Sequence, residues 1–304
     1  MKAPLPTLAA LVRERTGAAW SRARKLCEEG RVRVDGERCL DPAARFSPDA
    51  PVAIDERGPR REAGPLAREA IVFHDRDIVV IDKPAGLLSV ADVAGNRETV
   101  ADHARTLLRR IGKSEDVPLG VVHRLDRDTS GLMVFTRTAT AKRTLAAQFK
   151  AHDIDRVYLG LALGAVREAD IESDLVLDRG DGLRGSHGHF RRSKGPPPAD
   201  AKRAITHVRP LEMLRGASLV ECRLETGRQH QIRIHLAELG HPLVGEEVYI
   251  RDYQGPRVTA PRTMLHAHLL GFTHPRTGAP MSWQSEPPAD FEQVLSTLRS
   301  VKDR

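Results

Sequence analysis

Short apolar runs of strand length crowd the middle of this chain, and they do not alternate regularly with helix-length segments. Residues 70–73 and 78–81 are two such runs, joined by the polar stretch 74–77, and together they predict a hairpin. Pro84 should end the second strand, because proline supplies no backbone donor. Residues 132–136 form another strand-like run, and Tyr158 sits in a further one between Val157 and Leu159. Residues 139–151 are instead rich in helix formers, with Leu145, Ala146 and Phe149 expected on one face. A doubly wound sheet requires a repeated β-α-β-α order. This mixture lacks it and predicts an α+β domain.

A chain of 304 residues is long for one compact core and suggests two domains. Lys and Arg number 48 against 41 Asp and Glu, a formal charge of +7, which favours a polyanionic partner: a nucleic acid or an anionic membrane surface. No apolar run approaches the ~18 residues that span a bilayer, and residues 1–6 lack the apolar stretch of a signal peptide. Cys27, Cys39 and Cys222 are scattered and odd in number, so neither a disulfide framework nor a C-x-x-C pair is expected. A cytoplasmic protein away from membranes, and a monomer, is the expectation.

Residues 7–27 carry apolar positions at helical spacing with a break near Gly17. Arg13, Arg15, Arg22, Arg24 and Lys25 crowd this region, and Glu14 is the one acid among them. Residues 30–36 read as a strand alternating Val with Arg and ending in an Asp-Gly turn. The basic run is either a solvated helix face or a contact for a polyanionic partner, and its poverty in acids favours contact, with Arg22, Arg24 and Lys25 as the candidates. Residues 55–65 are rich in Gly, Pro and charge and make the best linker. The organisation expected is a small module over 1–58, a linker over 59–69 and a larger domain over 70–304. Residues 180–203 are polar, basic and rich in Gly and Pro, a composition expected of a mobile surface loop. It is either a featureless insertion or a basic flap that orders on a polyanionic partner.

The string His123-Arg124-Leu125-Asp126-Arg127-Asp128-Thr129-Ser130-Gly131-Leu132 places a carboxylate in a short polar loop at the mouth of a buried strand. Such a loop is a good platform for a nucleophile, because the strand fixes it while the loop exposes the side chain. Further motifs follow the same order along the chain: Lys83-Pro84-Ala85-Gly86 upstream, Arg156-Val157-Tyr158-Leu159-Gly160 downstream, then Thr226-Gly227-Arg228-Gln229-His230-Gln231-Ile232-Arg233. Gly240-His241-Pro242-Leu243-Val244-Gly245, Leu265-His266-Ala267 and His274-Pro275 complete the set. From about residue 70 to about residue 292 the chain resembles the RluA-type pseudouridine synthases. Residues 7–36 resemble a small RNA-binding module first known from a small-subunit ribosomal protein, which often precedes that family. The resemblance implies a long, mixed, largely antiparallel sheet with flanking helices and a cleft across its middle, plus a small α/β N-terminal module. It implies isomerisation of uridine to pseudouridine in large-subunit ribosomal RNA, transfer RNA or both, with no cofactor and no metal.

By that resemblance Asp126 is the catalytic residue. It could attack C1′ of the ribose, attack C6 of the ring, or stabilise charge on the sugar. Each role needs an ionised carboxylate in a water-poor pocket, where desolvation alone raises the pKa, so a fixed cation must stand close by. The resemblance nominates Arg233 as that cation. Thr226-x-x-Gln229 reads as a capping box, and Ile232, Leu236 and Leu239 follow at helical spacing, which puts Arg233 in an early helical turn. A guanidinium fork also suits a carboxylate better than an ammonium would. Tyr158 is either core packing or, as the resemblance implies, stacks near the target base and moves a proton. A lysine commonly stands two positions before that tyrosine, where this chain has Arg156. A uridine in folded RNA must be flipped out, and Arg124 is nominated to fill the gap by stacking on the neighbouring bases. Ile232 and Leu265 are candidate apolar walls. His230 and His235 are five apart, outside the spacing of zinc helices, and His266-x-His268 lacks further ligands nearby in sequence. Two rival readings remain: a noncatalytic RNA-binding or ribosome-assembly protein that keeps the fold, and an unrelated hydrolase using an Asp and histidines.

Overall fold

The computed structural model describes residues 5–28, 31–35, 37–39, 41–55, 66–91, 99–112, 118–189 and 195–299. The greater part of the expected linker, 56–65, lies outside the described residues, as do Gly30, Gly36 and residues 190–194 of the polar loop. The chain divides into two compact units. The first comprises 1–62, 174–201 and 247–252, and the second 63–173, 202–246 and 253–304.

In the first unit, α1 (Leu8–Thr16) and α2 (Trp20–Glu28) precede a small antiparallel sheet of β1 (Val32–Val34), β2 (Glu37–Arg38) and β3 (Val52–Ile54), ordered β2-β1-β3. The Thr7 hydroxyl accepts a hydrogen bond from Ala10 N at the start of α1, and Gly17 ends that helix in the left-handed region. Leu8, Val12, Ala23, Leu26 and Cys27 pack on Val32 and Val34, while Arg33 points outward, as the Val-Arg alternation predicts. Arg15 is not part of a free basic face: its guanidinium donates to the carbonyls of Pro48, Ala50 and Val52. Arg13 lies over the exposed ring of Trp20, 5.0 Å from its centroid.

The remaining elements are β4 (Ile71–His74), β5 (Ile78–Lys83), α3 (Val100–Gly112), β6 (Gly120–Val121), β7 (Ser130–Thr136), α4 (Ala139–Ala151), β8 (Asp155–Leu163), β9 (Ala169–Val176), β10 (Gly185–Ser186), β11 (Lys202–Leu214), β12 (Ala217–Leu224), α5 (Gln231–Glu238), β13 (Leu265–Thr273), β14 (Pro280–Gln284) and α6 (Ala289–Arg299). The sheet of the second unit runs β9-β11-β12-β8-β13-β7-β5-β4, with β14 on β13 and β6 on β7. The pairs β4–β5, β5–β7, β8–β12, β8–β13 and β11–β12 are antiparallel, and β7–β13 is parallel. The fold is therefore the expected mixed, largely antiparallel sheet with flanking helices.

The unbroken apolar runs in β5 and β7 have a simple cause, since both faces of the sheet are covered there. Val79, Ile81, Met133 and Phe135 join Val100, Ala104 and Leu108 of α3 in one core. Ile78, Val80, Leu132 and Val134 join Leu145 of α4, Leu270 and Phe272 in another. The hairpin and the stop at Pro84 form as predicted. One face assignment needs correction: α4 buries Ala141 and Leu145 and half-buries Phe149, whereas Ala146 is exposed. Steps of four keep 141, 145 and 149 on one side, and a step of one turns about 100° away.

The polar segment is also more structured than its composition suggests. Asp178 Oδ1 accepts from the backbone N–H groups of Gly180 and Gly182, and Leu175–Val176 pair with Gly185–Ser186. Leu183 and Ser186 are buried. Lys202 and Arg203, expected at the end of that loop, open the long strand β11.

Candidate active site

Asp126 stands in the loop that leads into β7, and three buried side chains hold that loop from behind. Ser89 Oγ donates to Leu125 O (2.7 Å) and accepts from Leu125 N (3.0 Å). Lys83 Nζ donates to Arg127 O (2.8 Å) and Pro84 O (2.9 Å). Burial pushes this lysine down to about 7. Arg262, tied to the Asp290 carboxylate, donates to Asp128 O (2.9 Å). His123 is structural: Val134 N donates to its Nε2 (3.0 Å) and its ring stacks on Phe149 at 4.8 Å. Burial, with Arg156 nearby, pushes its pKa down to about 3, so the ring is neutral. The motif glycine, Gly131, has φ +105°, and a Cβ there would strike the Ala267 backbone across the β7–β13 pairing.

Around Asp126 the structure gathers most of the nominated residues. Arg233 Nη1 lies 3.6 Å from Asp126 Oδ2, and His230 Nε2 lies 3.8 Å from Oδ1. Burial acts to raise the Asp126 pKa. The charges of His230, Arg233, Arg124 and Lys83 outweigh it, so the carboxyl is held below its ordinary value and is ionised at neutral pH. A small pocket of about 50 Å³ joins Asp126 to Tyr158, Ile232, Arg233 and Leu265. A larger cavity of about 420 Å³ opens from Asp126 and Tyr158 past Phe149, Arg156 and Arg228. Tyr158 is nearly buried, yet among the described residues its hydroxyl makes no hydrogen bond, unlike that of a tyrosine serving only the core. Burial raises its pKa. Arg124 is exposed at the rim and forms no ion pair among the described residues. Arg22, Arg24 and Lys25 lie on α2 in the first unit.

The helix carrying Arg233 does not start with a capping box. Its N-cap is His230, in the left-handed region at φ 60° with no side-chain cap, and Gln229 lies before the helix. Gln231 takes the role expected of Gln229. Its Oε1 accepts from Thr226 Oγ1 (2.8 Å) and Arg228 N (3.0 Å), and its Nε2 donates to Ile205 O (2.9 Å) and Thr206 Oγ1 (3.0 Å). The amide thus joins the loop to β11, a long-range partner that local spacing does not reveal. Arg233 still falls in the first turn, as expected.

Sequence reasoning misses Glu246. Its fully buried carboxylate takes Arg233 Nε and Nη2 at 2.7 Å each, leaving Nη1 toward Asp126. An acid directly after the Gly240–Gly245 motif is its only local signal. His230 belongs to the 226–233 motif and is weighed in the sequence as a metal ligand, and the structure places it beside the carboxylate instead. Among the described residues, Asp75, Asp77 and His274 have ligand-like spacing, but Arg276 and Thr138 already bond Asp77, and His274 bonds Asp75. His266 bonds Ser130 and the Ser285 carbonyl, and His268 bonds that same carbonyl.

Comparison with known proteins shows the family. Residues 77–238 match the RNA pseudouridylate synthase family, and residues 8–52 match the S4 domain. A ribosomal large subunit pseudouridine synthase D of Pseudomonas aeruginosa is 38% identical over 244 residues, covering 77% of this chain and 72% of its own. An uncharacterised RNA pseudouridine synthase of Synechocystis is 34% identical over 285 residues, covering 92% and 84%. Among solved structures, human RNA pseudouridylate synthase domain containing 4 superposes with a TM-score of 0.63 at 21% identity, over 76% of this chain and 93% of that one; this supports the fold. Since the family match covers more than half of the chain and the Pseudomonas aeruginosa relative is 38% identical, the chain is an enzyme and belongs to the RNA pseudouridylate synthase family.

Proposed function

We propose that this synthase isomerises uridines of large-subunit ribosomal RNA, with Asp126 as its catalytic carboxylate. The observation that carries the site assignment is Asp126 at the junction of the two pockets, ionised between His230 and Arg233 and facing Tyr158. Arg233 keeps Asp126 charged, Tyr158 stacks near the base and handles the proton leaving carbon, and Ile232 and Leu265 wall the uracil. Arg124, at the rim, takes the place of the flipped nucleotide. The ribosomal target is supported by the names of relatives such as the Pseudomonas aeruginosa and Xanthomonas campestris enzymes, each called ribosomal large subunit pseudouridine synthase D. The match of 8–52 to the S4 domain supports an N-terminal RNA-binding module acting through Arg22, Arg24 and Lys25, linked over 59–69 to a synthase domain over 70–304. The enzyme works as a cytoplasmic monomer and needs no cofactor.

The test is pseudouridine mapping on unmodified large-subunit ribosomal RNA and transfer RNA, each incubated with wild type and with Asp126→Asn. Pseudouridine should appear in the ribosomal RNA with wild type. It should vanish with the isosteric variant, whose loss should exceed the ~10²–10³ of one electrostatic donor, while RNA affinity persists. Modification confined to transfer RNA would reassign the substrate. A variant retaining a substantial share of activity would remove Asp126 from its role.

A further inference from the structure

The large cavity beside Asp126 carries far more positive charge than uracil and ribose require. Among its described lining residues Asp126 is the one carboxylate, whereas Arg124, Lys150, Arg156 and Arg228 are all cations. Asp126 already has its own partners in His230 and Arg233. Arg156 and Arg228 make no ion pair among the described residues. Each instead donates to a backbone carbonyl, Arg156 Nη2 to Glu225 O (2.7 Å) and Arg228 Nε to Arg203 O (3.0 Å).

Arg156 is the telling residue. It is 6% exposed, and its Nε is buried with no hydrogen-bond partner among the described residues. Its guanidinium lies over the Phe149 ring, 5.4 Å from the centroid. A Cβ on Gly227 would collide with its Nη1, so the Thr226-Gly227-Arg228 turn must carry glycine for the arginine to lie where it does. A buried cation with an unmet donor is costly unless an anion reaches it. Burial pushes the Arg156 pKa down against an upward pull from Tyr158, and the neighbouring charge of Arg228 adds to the lowering. In RNA the anion available is phosphate, whose oxygens match guanidinium donors.

We infer that the limb of the cleft lined by Arg156 and Arg228 holds a backbone phosphate adjoining the flipped uridine. The inference rests on the reading that this cleft takes a uridine of RNA. The phosphate neutralises the Arg156 guanidinium where it lines the cavity and separates two like charges. It also fixes the strand next to Asp126, so that the ribose arrives in register with the carboxylate.

A methylphosphonate scan tests this. The probe is a fragment of large-subunit ribosomal RNA spanning the mapped uridine, made with one uncharged linkage at a time on either side of it. Binding is measured on the full-length protein carrying Asp126→Asn, so that no turnover intervenes. One linkage should weaken binding by about 10-fold, in the range of a hydrogen bond to a charged group. Adding Arg156→Gln should produce a similar loss on native RNA and erase the sensitivity to that one linkage. Arg228→Gln should report the same linkage, and Arg156→Lys should restore part of the sensitivity. The Arg156→Gln variant should also flatten the salt dependence by about 0.7 in log-log slope, the value for one phosphate of a single strand. If the linkage penalties simply add to those of Arg156→Gln and Arg228→Gln, both arginines are structural braces and the inference falls. Should Arg156→Gln fail to fold, Arg156→Lys and Arg228→Gln decide the same question. Pseudouridine formation by wild type on the unmodified fragment is the separate control. Normal turnover without the coupling overturns only the phosphate assignment, and no turnover on any RNA overturns the functional reading and this inference with it.

Discussion

At the scale of single residues, the site works through who holds whom. Arg233 is set by Glu246 on one edge and offers the other edge to Asp126. Glu246→Gln would turn amide hydrogens toward a guanidinium and loosen Arg233. We expect kcat to fall by about 10²-fold, as for a small misplacement of a catalytic group, with RNA affinity nearly unchanged; single-turnover kinetics and binding measurements check this. A fall confined to affinity would make Arg233 an RNA ligand. His123 makes a different prediction. Burial, with Arg156 nearby, disfavours its protonation in the folded state, where its Nε2 accepts from Val134 N and its pKa lies at about 3. The unfolded chain takes up that proton first, near ~6.5. The stabilisation is therefore whole above ~6.5 and is lost as pH falls toward about 3, at ~1.4 kcal/mol per pH unit. His235, pushed down to about 4, acts in the same direction. Thermal denaturation of His123→Gln, whose amide oxygen can accept from Val134 N, should show a shallower acid loss than wild type between about pH 6.5 and 4.5. Parallel pH profiles would mean that His123 does not titrate on unfolding.

At the scale of elements, β5 and β7 form where continuous apolar runs can be covered on both faces, and the helix of 139–151 begins and ends at the residues its composition marks. The start of α5 is different. Gln231 uses both amide groups, and every partner lies either in the 226–228 turn or on β11. Gln231→Ala would leave Arg228 N and Ile205 O without this partner. Urea titration should show a loss of about 2–3 kcal/mol, the desolvation cost of buried polar groups, together with lower activity because α5 carries Arg233. A loss below about 0.5 kcal/mol, the level of an ordinary surface substitution, would show that water replaces the amide and that α5 is fixed by its apolar face alone.

At the scale of the whole molecule, the first compact unit is discontinuous in sequence: 1–62 are joined by 174–201 and 247–252. Within it Arg251 bonds both Asp41 and Asp181. Removing residues 1–60 should therefore lower the melting temperature as well as RNA affinity, since Arg251 loses a buried partner. Replacing Arg22, Arg24 and Lys25 by alanine should weaken RNA binding. It should also reduce the salt slope by roughly one unit for each phosphate no longer neutralised, with little change in melting temperature. Unchanged affinity in that triple variant would make the basic run of α2 a solvated face. The sequence by itself determined the α+β class, the hairpin at 71–83 and the helix at 139–151, which follow from local periodicity, while Asp126, Tyr158 and Arg233 are nominated through the resemblance of ordered motifs to a known family. Only the tertiary structure decided that Glu246 aims Arg233, that His230 flanks the carboxylate, that Gln231 replaces Gln229, and that Arg156 is buried with a donor unmet. Those are contacts between segments distant along the chain, where burial sets the cost of an unpaired charge or amide, and spacing along a sequence holds no measure of burial.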